Sequence, residues 1–328
     1  MLSHFIILNT SKNLTTSLRG AVVAIGNFDG VHRGHQYLLG QALHKAREYN
    51  CPALVLTFEP HPRSFFAIDS SLFRLTNNQQ KYKILELLGF NAVVEQEFSQ
   101  AFVQTEPMDF IDKILVNNLA ARAIITGKDF YFGKNRAGSS HSLKSYAMQH
   151  QKFEAISVDI QAADNGKIIS SSYIRCLLQC GQAREAAELL GYHYTVESVV
   201  IHGAKLGREL GFPTINMSLP PHIVLAHGIY AVKLKRANGI VLDGVASFGR
   251  RPTVTEAGQV LLETYLFDFA EEIYGEYVAV SFFEYLRPEK KFADLSSMVK
   301  QISFDVRRAQ AVLKIAKPIS VLDAKLCF

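Results

Sequence analysis

The chain has 328 residues, of which 48% are hydrophobic and 20% charged, and 35 Lys and Arg stand against 30 Asp and Glu for a net charge of +5. That length is more than one hydrophobic core usually serves and suits two domains. No apolar run approaches the ~20 residues that span a bilayer, the first ten residues lack a secretory signal pattern, and the basic residues are scattered rather than blocked. These features exclude a membrane protein and argue against a nucleic-acid partner, leaving a cytoplasmic globular protein whose mild positive balance suits phosphorylated ligands. Cys51, Cys176, Cys180 and Cys327 form no CxxC pair and read as buried or half-buried free thiols.

In chain order, residues 21–25 read as a buried strand, 36–50 as a helix with Leu39, Ala42, Leu43 and Ala46 on one face, and 53–58 as a second strand. Residues 81–88 read as helical, 92–95 as extended, 110–118 as helical and 123–126 as extended. Strands separated by helices predict a parallel sheet covered on both faces. The pattern changes after about residue 191: 196–201, 228–235, 240–247, 260–267 and 277–285 read as strands, with Asn238-Gly239 marking a hairpin turn. A helix over 294–315 follows, with Leu295, Met298, Val299, Ile302, Val306, Ala309 and Leu313 as its apolar stripe. Several antiparallel strands and one terminal helix predict a small barrel.

Gly26-Asn27-Phe28-Asp29-Gly30-Val31-His32-Arg33-Gly34-His35 joins the first strand to the first helix. A helix N-terminus offers free N–H groups and partial positive charge to phosphates. His32 and His35, three apart, share one side of the first turn, where two imidazoles can stabilise charge on an attacked phosphate; a metal pair or two structural histidines fit the spacing as well. Ile169-Ser170-Ser171-Ser172-Tyr173-Ile174-Arg175 reads as a polar turn entering a helix. Gly203-Ala204-Lys205-Leu206-Gly207-Arg208 is Gly-rich and basic without the spacing of a Walker A loop, and it leads into Phe212-Pro213-Thr214-Ile215-Asn216. Glu263 lies on an alternating strand, with Leu261, Tyr265 and Phe267 on its face; a solvent-facing Glu fits that pattern too.

The loop resembles the HxGH nucleotidyltransferase superfamily. With Thr57-Phe58-Glu59-Pro60-His61-Pro62-Arg63 after it, the chain more narrowly resembles the bacterial bifunctional riboflavin kinase/FAD synthetase family, over nearly its whole length. The resemblance implies an α/β fold class: an N-terminal Rossmann-like nucleotidyltransferase domain, residues 1–185, and a C-terminal six-stranded antiparallel β-barrel kinase domain with a terminal helix, residues 186–328. It implies phosphorylation of riboflavin by ATP to FMN, then adenylylation of FMN by ATP to FAD with release of pyrophosphate. FMN is thus an intermediate, and riboflavin, FMN and ATP are the expected partners, with Mg²⁺ as cofactor.

By the same resemblance His32, His35, Arg175 and Glu263 are catalytic, and Gly26, Asn27, Phe28, Asp29, Ser170, Ser171, Ser172, Gly203, Lys205, Gly207 and Arg208 bind ATP. Pro60, His61, Pro62 and Asp129 border the flavin, the prolines holding that wall extended, and Thr214 and Asn216 hold the metal. Four positions depart from the family pattern: Tyr131 at a common Arg, Ser139 at a common acid, Tyr265 at the usual His and Gln310 at the usual Arg. They motivate two alternatives, an enzyme with one active domain and a non-catalytic flavin-binding regulator.

Overall fold

The computed structural model describes residues 5–12, 14–66, 73–159, 162, 166–203, 207, 210–220, 223, 225–250 and 260–328. The chain divides into two compact units, residues 1–72 with 76–170, and residues 73–75 with 171–328.

The first unit runs β1 (Ile6–Leu8), β2 (Val22–Ile25), α1 (Arg33–Glu48), β3 (Ala53–Glu59), α2 (Pro62–Phe66), α3 (Asn78–Leu88) and β4 (Ala92–Glu97). Then come α4 (Gln100–Val103), α5 (Pro107–Asp109), a π-helical stretch Phe110–Asn118, β5 (Ala123–Gly127), β6 (Tyr131–Phe132), β7 (Gly138–Ser139), α6 (Ser140–His150) and β8 (Glu154–Val158). Six strands form one sheet in the order β1-β4-β3-β2-β5-β8, every pair parallel. β2 and β3 read as unbroken apolar runs because both faces are covered. Val23, Ile25, Leu54, Leu56 and Phe58 join Phe110, Ile111, Leu115 and Leu143 in one core cluster, while α1 packs on β2, β3 and β5.

Within this unit α1 starts three residues earlier than the hydrophobic spacing predicts, because His32 caps it with its own side chain, and Leu43 is only half-buried on its face. β1, β8 and the small β6–β7 pair were not legible as strands. The wall after β3 also differs from expectation: the Glu59–Pro60 bond is cis and Pro62 opens the short α2, a first-turn position that a fixed φ suits, so the path is not extended throughout.

The second unit opens with α7 (Ser171–Gln179) and α8 (Ala183–Leu190) and continues β9 (Thr195–Ile201), β10 (Thr214–Leu219), β11 (Gly228–Lys235), β12 (Val241–Arg250), β13 (Val260–Leu266) and β14 (Tyr277–Arg287). It ends with α9 (Leu295–Ile315) and α10 (Val321–Cys327). The strands close into a barrel in the order β10-β13-β12-β11-β14-β9, all antiparallel. Met217, Tyr230, Val232, Phe248, Leu262, Val280 and Phe282 are fully buried, and alternation along each strand puts their neighbours on the opposite, outer face. Against that outer face pack Ala309 and Leu313 of α9, with Ala231, Val245 and Phe283 beneath them.

Leu295, expected in the apolar stripe of α9, is 66% exposed; the buried residue of its middle turns is Asp305, whose carboxylate takes Nε and Nη2 of Arg287 at 3.0 and 2.6 Å. Cys176 and Cys180, expected to be covered, are exposed, whereas Cys51 is half-buried and Cys327 buried. α10 is fastened by Asp323, which accepts from the main-chain N–H of His193 at 2.8 Å, from His193 Nδ1 at 3.0 Å and from Ile319 N at 3.0 Å. Burial pushes the Asp323 carboxyl up, but these donors and the charge of His193 outweigh it and hold the group below its ordinary value. His193, Asp323 and Cys327 lie close enough to ligate together. Burial pushes the Cys327 thiol up to about 12, and the cluster's polar atoms bond one another, so it reads as a lock on the helix.

Candidate active sites

The Gly26–His35 loop leaves the carboxyl end of β2, where ligands gather in open parallel sheets. Phe28 takes a left-handed φ of 49° and turns its ring back over Gly26, where a Cβ would lie 2.9 Å from it; only glycine fits. A tight turn over Asp29–Val31, with Gly30 at φ 79°, then delivers His32 to the helix start. His32 Nδ1 accepts the His35 main-chain N–H at 3.3 Å, so the proton of the neutral ring sits on Nε2.

The His32 and His35 rings stack with centroids 3.6 Å apart, and Phe28 meets His35 edge-on at 5.3 Å. Burial, and secondarily His32, holds the His35 pKa well below its ordinary value, so His35 is neutral at pH 7 and can donate one ring proton. Thr57 Oγ1 donates to the Asn27 carbonyl at 3.4 Å, Thr76 N to Asp29 Oδ1 at 3.3 Å, and Gly30 N to Thr76 Oγ1 at 3.1 Å.

The Ile169 carbonyl passes 3.6 Å from where a Cβ on Gly34 would be, which brings the Ile169–Ser170 segment to the start of α1. Ser171, Ser172 and Arg175 lie in α7 of the second unit, where Arg175 Nε donates to the Phe73 carbonyl. On the expected flavin side, His61 is buried and its Nδ1 accepts from Arg63 N at 3.1 Å, while Pro60 is exposed and Pro62 half-buried. Asp129 is exposed and folds its carboxylate toward Gly127, 2.8 Å from a Cβ there. Of the two departures nearby, Ser139 caps α6 by accepting from Ser142 N at 3.3 Å, and Tyr131 is exposed under the Arg136 guanidinium at 5.0 Å.

In the barrel, register makes the second site. Asn216 of β10 stands directly opposite Glu263 of β13, and Thr214 opposite Tyr265. Opposed residues share a face, so Thr214, Asn216 and Glu263 lie together on the outer face, with Ser247 of β12 next in the row. Gly203 approaches so closely that a Cβ would sit 2.2 Å from the Asn216 amide, and one on Gly207 would strike the Phe212 carbonyl at 2.4 Å. Phe212 and Phe267 flank Tyr265 edge-on. Lys205 and Arg208, expected at the phosphates, lie outside the described residues.

Among the described residues four buried side-chain atoms make no hydrogen bond within the chain: Asn27 Oδ1, His35 Nδ1, Asn216 Oδ1 and Thr264 Oγ1. Buried polar atoms are nearly always satisfied, and three of these four belong to residues singled out from sequence. The description FAD synthetase matches residues 14–173 and the description Riboflavin kinase matches residues 190–313. A bifunctional riboflavin kinase/FMN adenylyltransferase of Haemophilus influenzae is 38% identical over 300 residues, covering 91% of this chain and 96% of its own. The protein of that description from Escherichia coli K12 is 36% identical over 299 residues, covering 91% and 95%.

The chain belongs to the bifunctional riboflavin kinase/FMN adenylyltransferase family. As a member it is a riboflavin kinase and an FMN adenylyltransferase, using ATP in both reactions with FMN between them. A solved structure from Streptococcus pneumoniae, described as a macrolide-efflux protein, matches at TM-score 0.82 and 29% identity over 95% of this chain and 99% of its own. Among the described residues of this family member no helix is long and apolar enough to cross a membrane. Sequence reasoning did not single out Lys81, which lies buried beside the first site with Nζ on Thr57 Oγ1 at 3.4 Å; a lysine at a core position of α3 was the available signal.

Proposed function

We propose that FMN adenylylation takes place at the Gly26–His35 loop and riboflavin phosphorylation at the β10–β13 pair, the activities dividing between residues 1–185 and 186–328. The observation that carries this reading is that, among the described residues, three of the four unsatisfied buried side-chain atoms fall on Asn27, His35 and Asn216. In the first reaction an FMN phosphate oxygen bonds to the α-phosphorus of ATP as the bond to pyrophosphate breaks. That nucleophile is already anionic, so positioning and charge stabilisation suffice. His32 and neutral His35 donate to the attacked phosphate, and the backbone of Gly26, Asn27, Phe28 and Asp29 cradles the nucleotide. Ser170 holds the departing phosphates, a role that the family resemblance also gives Ser171, Ser172 and Arg175; Pro60, His61, Pro62 and Asp129 border the flavin.

In the second reaction Glu263 accepts the proton of the riboflavin 5′-hydroxyl, whose oxygen bonds to the γ-phosphorus as ADP leaves. Gly203, Lys205, Gly207 and Arg208 wrap the phosphates. The donor set fits Mg²⁺: Asn216 Oδ1 is a buried oxygen without a partner, and Thr214 adds a hydroxyl on the same face. Thr214 and Asn216 would hold the ion, which when bound would offset the negative charge of the phosphates. A cytoplasmic location belongs to this reading, the four free thiols suiting a reducing compartment.

The test is a time course of the pure protein with riboflavin, ATP and Mg²⁺, flavins separated chromatographically. FMN followed by FAD supports two working sites. FMN without FAD would leave only the barrel active, and neither product would leave a flavin binder.

A further inference from the structure

Lys81 sits in α3, one turn past its Asn77 cap, and is 5% exposed. A lysine so buried is rare, because its charge must be matched. Its Nζ donates to Thr57 Oγ1 at 3.4 Å, and fully buried Thr57 donates in turn to the Asn27 carbonyl at 3.4 Å. Just ahead of the cap, Thr76 exchanges hydrogen bonds with Asp29 and Gly30 at 3.3 and 3.1 Å. The α3 segment and the residue ahead of its cap therefore hold the loop at two points, at Asp29–Gly30 through Thr76 and at Asn27 through Lys81 and Thr57. Between them the loop carries Phe28, whose ring packs on His35.

We propose that Lys81 is a positioning residue for adenylyl transfer, fixing the Asn27 turn through Thr57 so that the loop backbone and His35 meet the transferred phosphate in register. This rests on the reading of the Gly26–His35 loop as the adenylylation site. A lysine that merely supported the fold would, on removal, lower thermal stability without a selective loss of turnover.

The full-length enzyme is assayed as Lys81→Met, Lys81→Arg, Thr57→Val and the Lys81→Met/Thr57→Val double variant, with His35→Ala alongside. FMN-to-FAD and riboflavin-to-FMN kinetics are measured on the same preparations, the kinase reaction reporting on the second unit and a thermal melt with near-UV circular dichroism on the packing of the first. Lys81→Met is expected to lower adenylylation kcat about 10- to 100-fold, with KM for FMN and ATP within about twofold, the scale of a small misplacement of reacting groups. Lys81→Arg restores most of the rate, and Thr57→Val reproduces the loss. The double variant is no worse than Lys81→Met, because both act through one linkage. Should Lys81→Met not fold, Thr57→Val, which keeps the side chain's shape, decides by the same kcat criterion. The inference is overturned if Lys81→Met keeps its adenylylation rate while His35→Ala loses it, or if the single losses add in the double variant. It is also overturned if both half-reactions fall together. If His35→Ala itself still makes FAD, the reading of the loop fails and this inference with it.

Discussion

His32 spends Nδ1 on the His35 main chain, and His35 is kept neutral by burial. His32 is therefore left with Nε2 to donate, and neutral His35 with one ring proton. His35→Ala should lower FAD formation from FMN by about 10²–10³-fold, the loss typical for one preorganised donor, and leave FMN formation intact. Glu263→Ala should do the reverse. The pH dependence has a definite sign: a folded pKa below the unfolded 6.5 means stability is fully present above 6.5 and is lost as pH falls toward the folded value. Thermal melts from pH 8 to 5 should fall on the acid side, and the fall should shrink in His35→Gln. The motif residues were legible because unusual side chains recur at fixed spacing. Lys81 was not, since a lysine in a helix ordinarily faces water and only the tertiary fold turns this one inward.

Elements that carry a clear apolar period were read correctly, and those shaped by local exceptions were not. β1 has only three residues, and Ile6 and Ile7 are partly exposed, so it has neither length nor alternation to mark it. β10 hid inside a polar Thr-x-Asn motif behind Pro213, and its strand character comes from pairing with β13 and β9. The early start of α1 depends on a histidine cap, outside the usual Ser, Thr, Asp and Asn. Gly203 is held against the Asn216 amide, so Gly203→Ala should cut the kinase rate selectively; flavin chromatography would show FAD still forming from FMN. Asp323→Asn should destabilise the barrel unit by about 1–3 kcal/mol at neutral pH, the scale of unsatisfying a buried hydrogen-bonded group. Because the folded Asp323 pKa is depressed, that contribution is present above the unfolded carboxylate value and disappears as pH falls through the folded one, so the difference between the two proteins in urea melts should close in acid.

At the scale of the whole chain, alternation of strand and helix foretold the parallel sheet, and several antiparallel strands with one terminal helix foretold the barrel; closure itself was set by the pairing of β9 with both β10 and β14. If each site runs one reaction, a mixture of His35→Ala and Glu263→Ala proteins should convert riboflavin to FAD, with FMN accumulating first and FAD following after a lag. Among the described residues, closure also leaves no barrel strand with an unpaired side, while the open sheet ends at β1 and β8. An unpaired strand side is a template on which a second chain can extend the sheet. β8 carries Glu154 in an ion pair with Lys45, but β1 presents Ile6 and Ile7, 36% and 45% exposed. Clumping of concentrated protein should accordingly begin at β1, and Ile7→Lys should slow it, as light scattering of concentrated stocks would show.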